Sequence, residues 1–460
     1  MADVLGEYSR VNLWSDPIYR YIRITKGGDG GVPGEASEQD LLDHPWLQRL
    51  RRIHQLQSAW WVFATAEHSR FQHSLGAMHL AGEWGRHLYP TLREVHADTP
   101  SEAVVEETLR LAGLLHDCGH GPFGHFFDEN YLDRWGIDHE DVGRHLITGP
   151  LAGLVGGVGA SPHGDFEAGE AIDPRWIAFL ISRQDLPGFE PPDWLAALQP
   201  LLTGPFSADN MDYVPRDSYI CGVAVGPVDV QRILHYSFVA PEGLALHSHA
   251  AEALFMFLSA RLYLYHQVYF HRTVRRIDLQ LREVFRETIS QVLGGNPLER
   301  LDVYQGLTEW SLLSEVDRWR REAVDGRLRE LGQAWGDLVG RRLKWTLVYS
   351  TYLEGHDATS STLEMSRDEF AERIRSHLPR DLSSMQFEVD VASQQSGAVN
   401  PATESGEILL YDPLTNTYDR SGVLDLFRRL PVRMALFRVF AQGPDGRAPL
   451  SAAAEKALRP

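Results

Sequence analysis

Only two cysteines, Cys118 and Cys221, occur in 460 residues. That scarcity rules out a disulfide framework and any cysteine-rich zinc site. Long apolar runs are also missing. No stretch of about 18 apolar residues occurs, so no membrane span is expected. The opening residues, MADVLGEYSR, have no apolar core of signal-peptide length, and a cytoplasmic protein is the expectation. Positive charge is in short supply: 44 Lys and Arg face 63 Asp and Glu, a formal net charge of -19. Proteins that bind nucleic acid along a broad surface are usually basic, so this balance argues against that role. A small anionic ligand stays compatible, because Arg and metal clustered in a pocket reverse the local field. No internal repeat is present.

What is present is an ordinary globular balance, 43% hydrophobic and 23% charged, over a length that suits one large domain plus a smaller one. The most informative stretch is Leu109 to Asp128, LRLAGLLHDCGHGPFGHFFD. Leu111, Leu114, Leu115 and Cys118 recur at helical spacing. His116 and Asp117 stand side by side, and His120 follows one turn later. Gly119, Gly121 and Pro122 stop the helix, and His125 and Asp128 come just after the break. Three histidines and two carboxylates at the end of an apolar helix are costly to bury uncompensated. A cation and an anionic substrate would compensate them.

Along the rest of the chain, Tyr19, Tyr21 and Ile22 to Ile24 suggest a short hairpin, followed by a Gly-rich loop from Gly27 to Gly34. Leu42, Trp46, Leu50 and Ile53 share a helix face. Ala59 to Ala66 reads as a short apolar strand or turn. His73, Ala77, Leu80, Ala81 and Trp84 form one helical stripe with Arg70 a turn earlier. Asp138 to Leu146 is a short helix carrying His139 and Glu140. Gly149 to Gly169 reads as a surface loop or insertion. Trp176 to Ser182 and Trp194 to Leu202 are short helices. Asp209 to Gly222 is helical, with Pro215 expected in a first turn or at a kink. Ala250 to Leu293 is a long or broken amphipathic helix, and Leu312 to Val339 is helical and charged. From about residue 340 the pattern becomes α+β. Leu343 to Tyr352, Gln386 to Ala392 and Ile408 to Tyr411 are strand-like; Phe370 to Leu378 and Val423 to Leu430 are helical. Ser393 to Gly406 reads as a loop, and Ser451 to Pro460 as a frayed end.

His73, His116, Asp117 and Asp209 can close one divalent site. Two neutral imidazoles and two carboxylates balance a 2+ charge, and the mixed nitrogen and oxygen set suits Fe, Mn, Zn, Ni or Co better than Ca. Open positions on such an ion suit hydrolysis of a phosphate ester. The alternative is that these are capping and core residues that happen to be polar.

The pattern H…HD…D resembles the HD-domain metal-dependent phosphohydrolases. The likeness extends to the deoxynucleoside triphosphate triphosphohydrolase branch, which includes the vertebrate enzyme carrying a SAM domain and bacterial relatives. It rests on DPIY (Asp16 to Tyr19), QRLRRIHQL (Gln48 to Leu56), HSRFQHSLG (His68 to Gly76), LLHDCGHGPFGHFFD (Leu114 to Asp128), His139 with Glu140, and DNMDYVPRDSYICGV (Asp209 to Val223). YHQVYFHR (Tyr265 to Arg272), FEVDVA (Phe387 to Ala392) and LFRVFA (Leu436 to Ala441) match more loosely. No SAM domain is seen. The resemblance implies a mostly α fold: an HD-domain helical core at 1–340, with 149–169 an insertion or loop, and a smaller C-terminal α+β lobe at 341–460.

By position, the resemblance implies metal ligands at His73, His116, Asp117 and Asp209, with Mg joining the candidate ions. It implies attack by water on the α-phosphorus of a dNTP, giving deoxynucleoside and inorganic triphosphate. His125 would protonate the leaving 5′ oxygen, tuned by Asp128 and His139. His120 and Arg70 would hold the α-phosphate. Gln55 and Asp217 would meet the 3′ hydroxyl, Tyr213 would pack beneath the ribose, Arg261 would reach the outer phosphates and Tyr269 the base. Asp43, Gln48 and Arg51 match a regulatory site for an activating GTP or dNTP; the other reading of Asp43 is a helix N-cap. A homo-oligomer, dimer or tetramer, is implied. There are departures. Asn210 replaces a phosphate-gripping lysine, Tyr265 replaces a histidine near the base, Asn12 replaces a lysine of the regulatory site, and Pro215 replaces a helix-compatible residue.

Two other readings stand beside this one. An HD phosphohydrolase of another nucleotide or phosphate ester is motivated by Asn210. A nucleic-acid-binding or scaffolding protein with a vestigial site is motivated by Arg272, Arg275 and Arg276.

Overall fold

In the computed structural model the described residues are 10–27, 35–182, 184–355, 363–395, 409–419, 430–431 and 433–459. The fold is mostly α: a helical core carrying the HD segment, with small sheets towards the C-terminal part. Strands β1 (Val11–Asp16) and β2 (Arg20–Thr25) pair antiparallel at the start of the described chain.

Three helices position everything that follows. Helix α1 (Arg70–Val95) opens where the Gln72 side chain accepts the Ser69 N–H at 3.0 Å. Helix α2 (Glu102–Leu115) is buried on nearly every side, and it encloses Glu106, Glu107 and Arg110 together with its apolar residues. Leu109, Leu111, Leu114 and Leu115 are all enclosed, each worth about 2 kcal/mol relative to exposure. The helices meet without side chains between them at Gly113, where a Cβ would sit 2.7 Å from the Ala77 carbonyl oxygen. Helix α5 (Ala208–Cys221) packs on the other side of α1 and starts at the N-cap Ser207. Between α2 and α5 lie α3 (His125–Asn130) and α4 (His139–Thr148), the latter capped by Asp138.

The turn after α2 is pinned from outside. Buried Arg49 donates to the carbonyls of His120 at 2.6 Å, Leu307 at 2.8 Å and Tyr304 at 3.3 Å, and the Tyr304 hydroxyl donates to Gly119 O at 2.7 Å. Strands β3 (Ser237–Ala240) and β4 (Gly243–His247) form a hairpin. They are followed by α6 (Ala251–Leu264), a π-helical turn at Tyr265–Tyr269, and α7 (Arg272–Leu293). Helices α8 (Glu309–Glu322) and α9 (Gly326–Val339) form an antiparallel pair. The C-terminal part has its own core of Phe370, Ile374, Phe437, Val439, Leu450 and Ala454. There β5 (Thr346–Gly355), β6 (Phe387–Gln395) and β9 (Arg433–Ala441) form a sheet with β9 central. Helices α10 (Arg367–His377) and α11 (Arg447–Ala457) cover it.

Several local expectations are corrected. Of the strand or turn expected at residues 59–66, the structure has the turn, a 3-10 turn at Ala59–Trp61. The stretch from Gly149 to Gly169 is not an open loop. It holds a short helix, Ala152–Val155, and a two-residue hairpin, and it buries Leu151, Val155 and Val158 in the main core. Of the two places expected for Pro215, the first turn is excluded, since it lies inside α5. Asp43 closes the helix Glu38–Asp43; the N-caps nearby are Ser37 and His44. The C-terminal end is the packed helix α11, whose alanines fill the gap against the sheet, rather than a frayed tail. Strand β6 runs on to Gln395, through the start of the expected Ser393 to Gly406 loop. The segment β7 (Leu409–Asp412) and β8 (Thr417–Asp419) does not stay with the C-terminal sheet. It adds to the β3–β4 hairpin, with β7 parallel to β4. Residues 28–34 of the Gly-rich loop and 423–429 of the expected helix lie outside the described residues. No helix among the described residues is long and apolar enough to cross a membrane.

Arg49 gives a direct test of the pinning. Arg49→Met keeps bulk but strands three buried carbonyls, and chemical denaturation should show a loss of about 3 kcal/mol or more. A loss below about 1 kcal/mol would mean that other groups hold the turn.

Candidate metal centre and active-site cavity

His73 lies on α1, His116 caps the C-terminus of α2, Asp117 follows it, and Asp209 is in the first turn of α5. Residues distant in sequence therefore meet where three helices converge. His73 Nε2 lies 3.2 Å from His116 Nε2, 3.0 Å from Asp209 Oδ1 and 4.0 Å from Asp117 Oδ2. His116 Nε2 is 3.3 Å from Asp117 Oδ1 and 3.7 Å from Asp209 Oδ1.

The partners of the other ring nitrogens fix what these atoms are. His73 Nδ1 is 2.8 Å from Asp212 Oδ2, and His116 Nδ1 is 2.8 Å from the Gly113 carbonyl. Ionised carboxylates and carbonyls only accept, so both Nδ1 atoms must donate. Both Nε2 atoms then turn bare lone pairs towards each other and towards two carboxylates. That arrangement repels itself unless a cation sits among the four. Neighbouring ligands about 2.1 Å from one ion are spaced about 3 Å apart, as here. The donor set fits a divalent metal ion, and the nitrogens favour a transition metal over Ca.

Behind the four lies a supporting layer. Asp212 also accepts from Tyr19 Oη at 2.8 Å and from Arg216 Nε and Nη2 at 2.8 Å, and Arg216 reaches Asp16 at 2.8 Å. Such a layer fixes ring orientation and raises ligand basicity. Gly76 makes room for it: a Cβ there would overlap the Asp212 carboxylate. Asp117 accepts from Arg70 Nη1 at 2.6 Å. Burial alone would raise the Asp117 carboxyl; Arg70, then His116 and His120, outweigh it and hold it well below the usual range. Arg70 thus ties one guanidinium nitrogen to a candidate ligand while lining the cavity, and its Nε has no hydrogen-bond partner among the described residues.

A second cluster adjoins the first. His125 Nδ1 is 3.3 Å and His139 Nδ1 2.7 Å from the same Asp128 oxygen, Oδ2. His120 stacks on His139, with centroids 3.6 Å apart, and its Nε2 lies 3.3 Å from Asp117 Oδ1. His125 is open, its side chain 58% exposed, while His120 is wholly enclosed. Burial, with Arg70 and His139 nearby, pushes the His120 ring well down, so it is neutral. Burial opposes charge on His139 as well, but Asp128 outweighs it and raises that ring.

One cavity of about 630 Å³ joins these groups. His73, His116, Asp117, Asp209, His125 and His139 line it, as do Gln55, Arg70, Tyr213, Asp217, Arg261 and Tyr269. His120 and Asp128 stand behind its wall. Asp217 is enclosed and filled on both oxygens, by His68 Nε2 at 2.7 Å and by the Tyr269 hydroxyl at 2.5 Å. The Gln55 side-chain oxygen is sealed, with no hydrogen-bond partner among the described residues. Arg261 Nε donates to the Tyr213 hydroxyl at 2.8 Å. Asn210 turns its amide away, to the carbonyls of Gly204 and Pro205 at 3.3 Å each. Asp43, Gln48 and Arg51 are apart from this cavity. Gln39 donates to Asp43 at 2.8 Å, Arg51 donates to Gln48 at 2.9 Å, and the Arg51 guanidinium lies 3.7 Å over the Phe71 ring. Asp16, Tyr19, Asp212, Arg216 and His68 were given no role in the sequence reading. The DPIY, HSRFQHS and DYVPRDS runs carried them, but only the fold shows which carboxylate each one serves.

Without an ion, a proton must relieve the cleft. Burial disfavours a charged His73, yet the hydrogen bonds to Asp209 and Asp212 win and push it up to about 10. Metal therefore competes with a proton below that value, and affinity rises with pH. Calorimetry with Mn²⁺ at about pH 8, in two buffers of different ionisation enthalpy, should reveal release of about one proton per ion. Equal heats in both buffers would contradict this.

Comparison with known proteins agrees with the geometry. The HD domain family matches residues 70–149. The chain is 30% identical over 294 residues to the Bacillus subtilis protein YwfO, described as uncharacterized, covering 62% of this chain and 57% of that protein. It is 28% identical over 285 residues to the deoxynucleoside triphosphate triphosphohydrolase SAMHD1 homolog of Dictyostelium discoideum, covering 60% and 51%. To SAMHD1 of Gallus gallus it is 28% identical over 345 residues, covering 69% and 53%. The chain thus spans about half the length of these relatives. A crystal structure of a hypothetical protein from Aquifex aeolicus shares the fold, with a TM-score of 0.66 at 24% identity, covering 98% of this chain and 100% of that one. The chain carries an HD domain with the residues to hold a divalent metal, and it resembles the deoxynucleoside triphosphate triphosphohydrolases among its relatives.

Proposed function

We propose that the protein is a metal-dependent phosphohydrolase that cleaves dNTPs to deoxynucleoside and inorganic triphosphate. The observation that carries this reading is the convergence of four metal donors beside the His125–Asp128–His139 cluster in one cavity. The named activity of the Dictyostelium and chicken relatives supports the choice of dNTPs.

A divalent ion bound by His73, His116, Asp117 and Asp209 would lower the pKa of a water and draw charge from phosphorus. His125 stands at the open face with Asp128 behind it, the placing needed to hand a proton to a leaving 5′ oxygen. His139 shares that carboxylate, and His120 stacks on it as a neutral spacer. Arg261 lines the cavity, braced by Tyr213, where it could meet outer phosphates. Gln55 has an unused acceptor and Asp217 a hydrogen-bonded carboxylate, a pairing suited to a sugar hydroxyl. Tyr213 and Tyr269 supply flat walls. Activation by GTP or a dNTP through Asp43, Gln48 and Arg51, and assembly as a homo-oligomer, extend the same reading.

A second reading is favoured by Asn210. Its amide is spent on backbone carbonyls, and it brings no positive charge to a triphosphate tail. A shorter phosphate ester would need less.

Each dNTP incubated with purified protein and Mn²⁺ or Mg²⁺ should yield deoxynucleoside and intact triphosphate. Pyrophosphate or single phosphate as product would overturn the triphosphohydrolase reading and favour the second. His125→Ala should keep its metal and lose activity by about 100-fold or more. Normal turnover in that variant would remove His125 from the chemistry.

A further inference from the structure

The cavity does not stop at the groups used above. It continues to the junction between α7 and β6, where Arg275, Arg282, Ser393 and Gln394 line it. Arg282 Nη1 is sealed from solvent there without a hydrogen-bond partner among the described residues. On β9, Arg438 is also enclosed, and its Nε and Nη1 have no hydrogen-bond partner among the described residues.

The carboxylates nearby do not serve these two arginines. Asp390 is held by Arg275, with Nη2 at 2.6 Å and Nε 3.1 Å from both oxygens. Its nearest approach to Arg438 is 3.9 Å. Asp278 accepts the Ser58 hydroxyl at 2.5 Å and lies 3.7 Å from Arg275. Glu129 is on the cavity wall but exposed. Burial, then Arg367 and Arg275, disfavour the charge on Arg282 more than Asp390 and Asp278 favour it. For Arg438, burial with Arg275 and Arg272 outweighs Asp390. Positive charge at this junction therefore exceeds what the local carboxylates compensate. A sealed guanidinium donor with no acceptor forfeits its hydration, and a cavity-facing one can recover it only from a ligand or water.

We propose that this junction is a second anion subsite, in which Arg282, with Arg275 beside it on the cavity lining, takes a phosphate-type oxyanion. A guanidinium fork matches such an anion in charge and shape. The choice of phosphate rests on the phosphohydrolase reading; binding at Arg282 does not require turnover. The phosphate comes either from the substrate or from solution.

The test is calorimetric titration of inorganic phosphate into the full chain, with and without Mn²⁺, for wild type, Arg282→Gln and Arg282→Lys. A phosphate site independent of metal is expected in wild type. It should weaken at least tenfold in Arg282→Gln and less than that in Arg282→Lys, which keeps the charge but not the fork. In phosphate-free buffer, Arg282→Gln should melt no lower than wild type, because it removes an uncompensated charge; a purely structural arginine would lower the melting point. Equal phosphate affinity in wild type and Arg282→Gln overturns the proposal. In turnover assays, the part of phosphate inhibition lost in Arg282→Gln identifies the source. Competitive inhibition means the subsite takes the substrate's own phosphate, and non-competitive inhibition means a separate ion. Absence of any dNTP turnover would sink the hydrolase reading while leaving the titration result in force.

Discussion

Two bare imidazole nitrogens 3.2 Å apart, with two carboxylates around them, are the constraint on which the rest of this fold depends. They are held by groups that cannot retreat. Asp212 and the Gly113 carbonyl take the opposite ring protons, and Gly113 and Gly76 let helix backbones and charged groups approach where any side chain would block them. Repulsion among these groups is relieved by a proton on His73 or, in its place, by a cation between them. Apolar packing of α2 against α1, and of α1 against α5, supplies the free energy that keeps the donors together.

The neighbouring cluster is arranged by the same electrostatic logic. Asp128 and Asp117 are held ionised, His139 is raised by Asp128, and His120 between them is kept neutral by burial and by Arg70. Environments that push neighbouring groups apart in pKa are typical of acid–base chemistry. Arg70 links the two clusters through Asp117, so a change at one is felt at the other.

Much of the centre was legible in the chain itself. His116, Asp117, His120, His125 and Asp128 fall within one short stretch, and the resemblance carried by HSRFQHSLG and DNMDY joined His73 and Asp209 to it. The mostly α core and the later α+β pattern were readable from periodicity. Other features depended on contacts between distant segments. Asp16 and Tyr19 meet Asp212 and Arg216 only because the β1–β2 turn packs against α5. The stretch from Gly149 to Gly169 looked like a loop because of its glycines, yet Leu151, Val155 and Val158 anchor it to the core. The alanine-rich C-terminus looked frayed because small residues give little pattern, although small residues are what let α11 lie close to the sheet. No local signal marks that β7 leaves its sheet to join β4, since parallel pairing is decided by topology.

The most direct measurement is X-ray absorption spectroscopy at the metal edge of the protein loaded with one equivalent of Mn²⁺ or Fe²⁺. The account predicts two imidazole nitrogens in the coordination shell, the remainder being oxygen, and loss of one imidazole contribution in His73→Ala. A shell of oxygen alone, or one unchanged by that substitution, would contradict it.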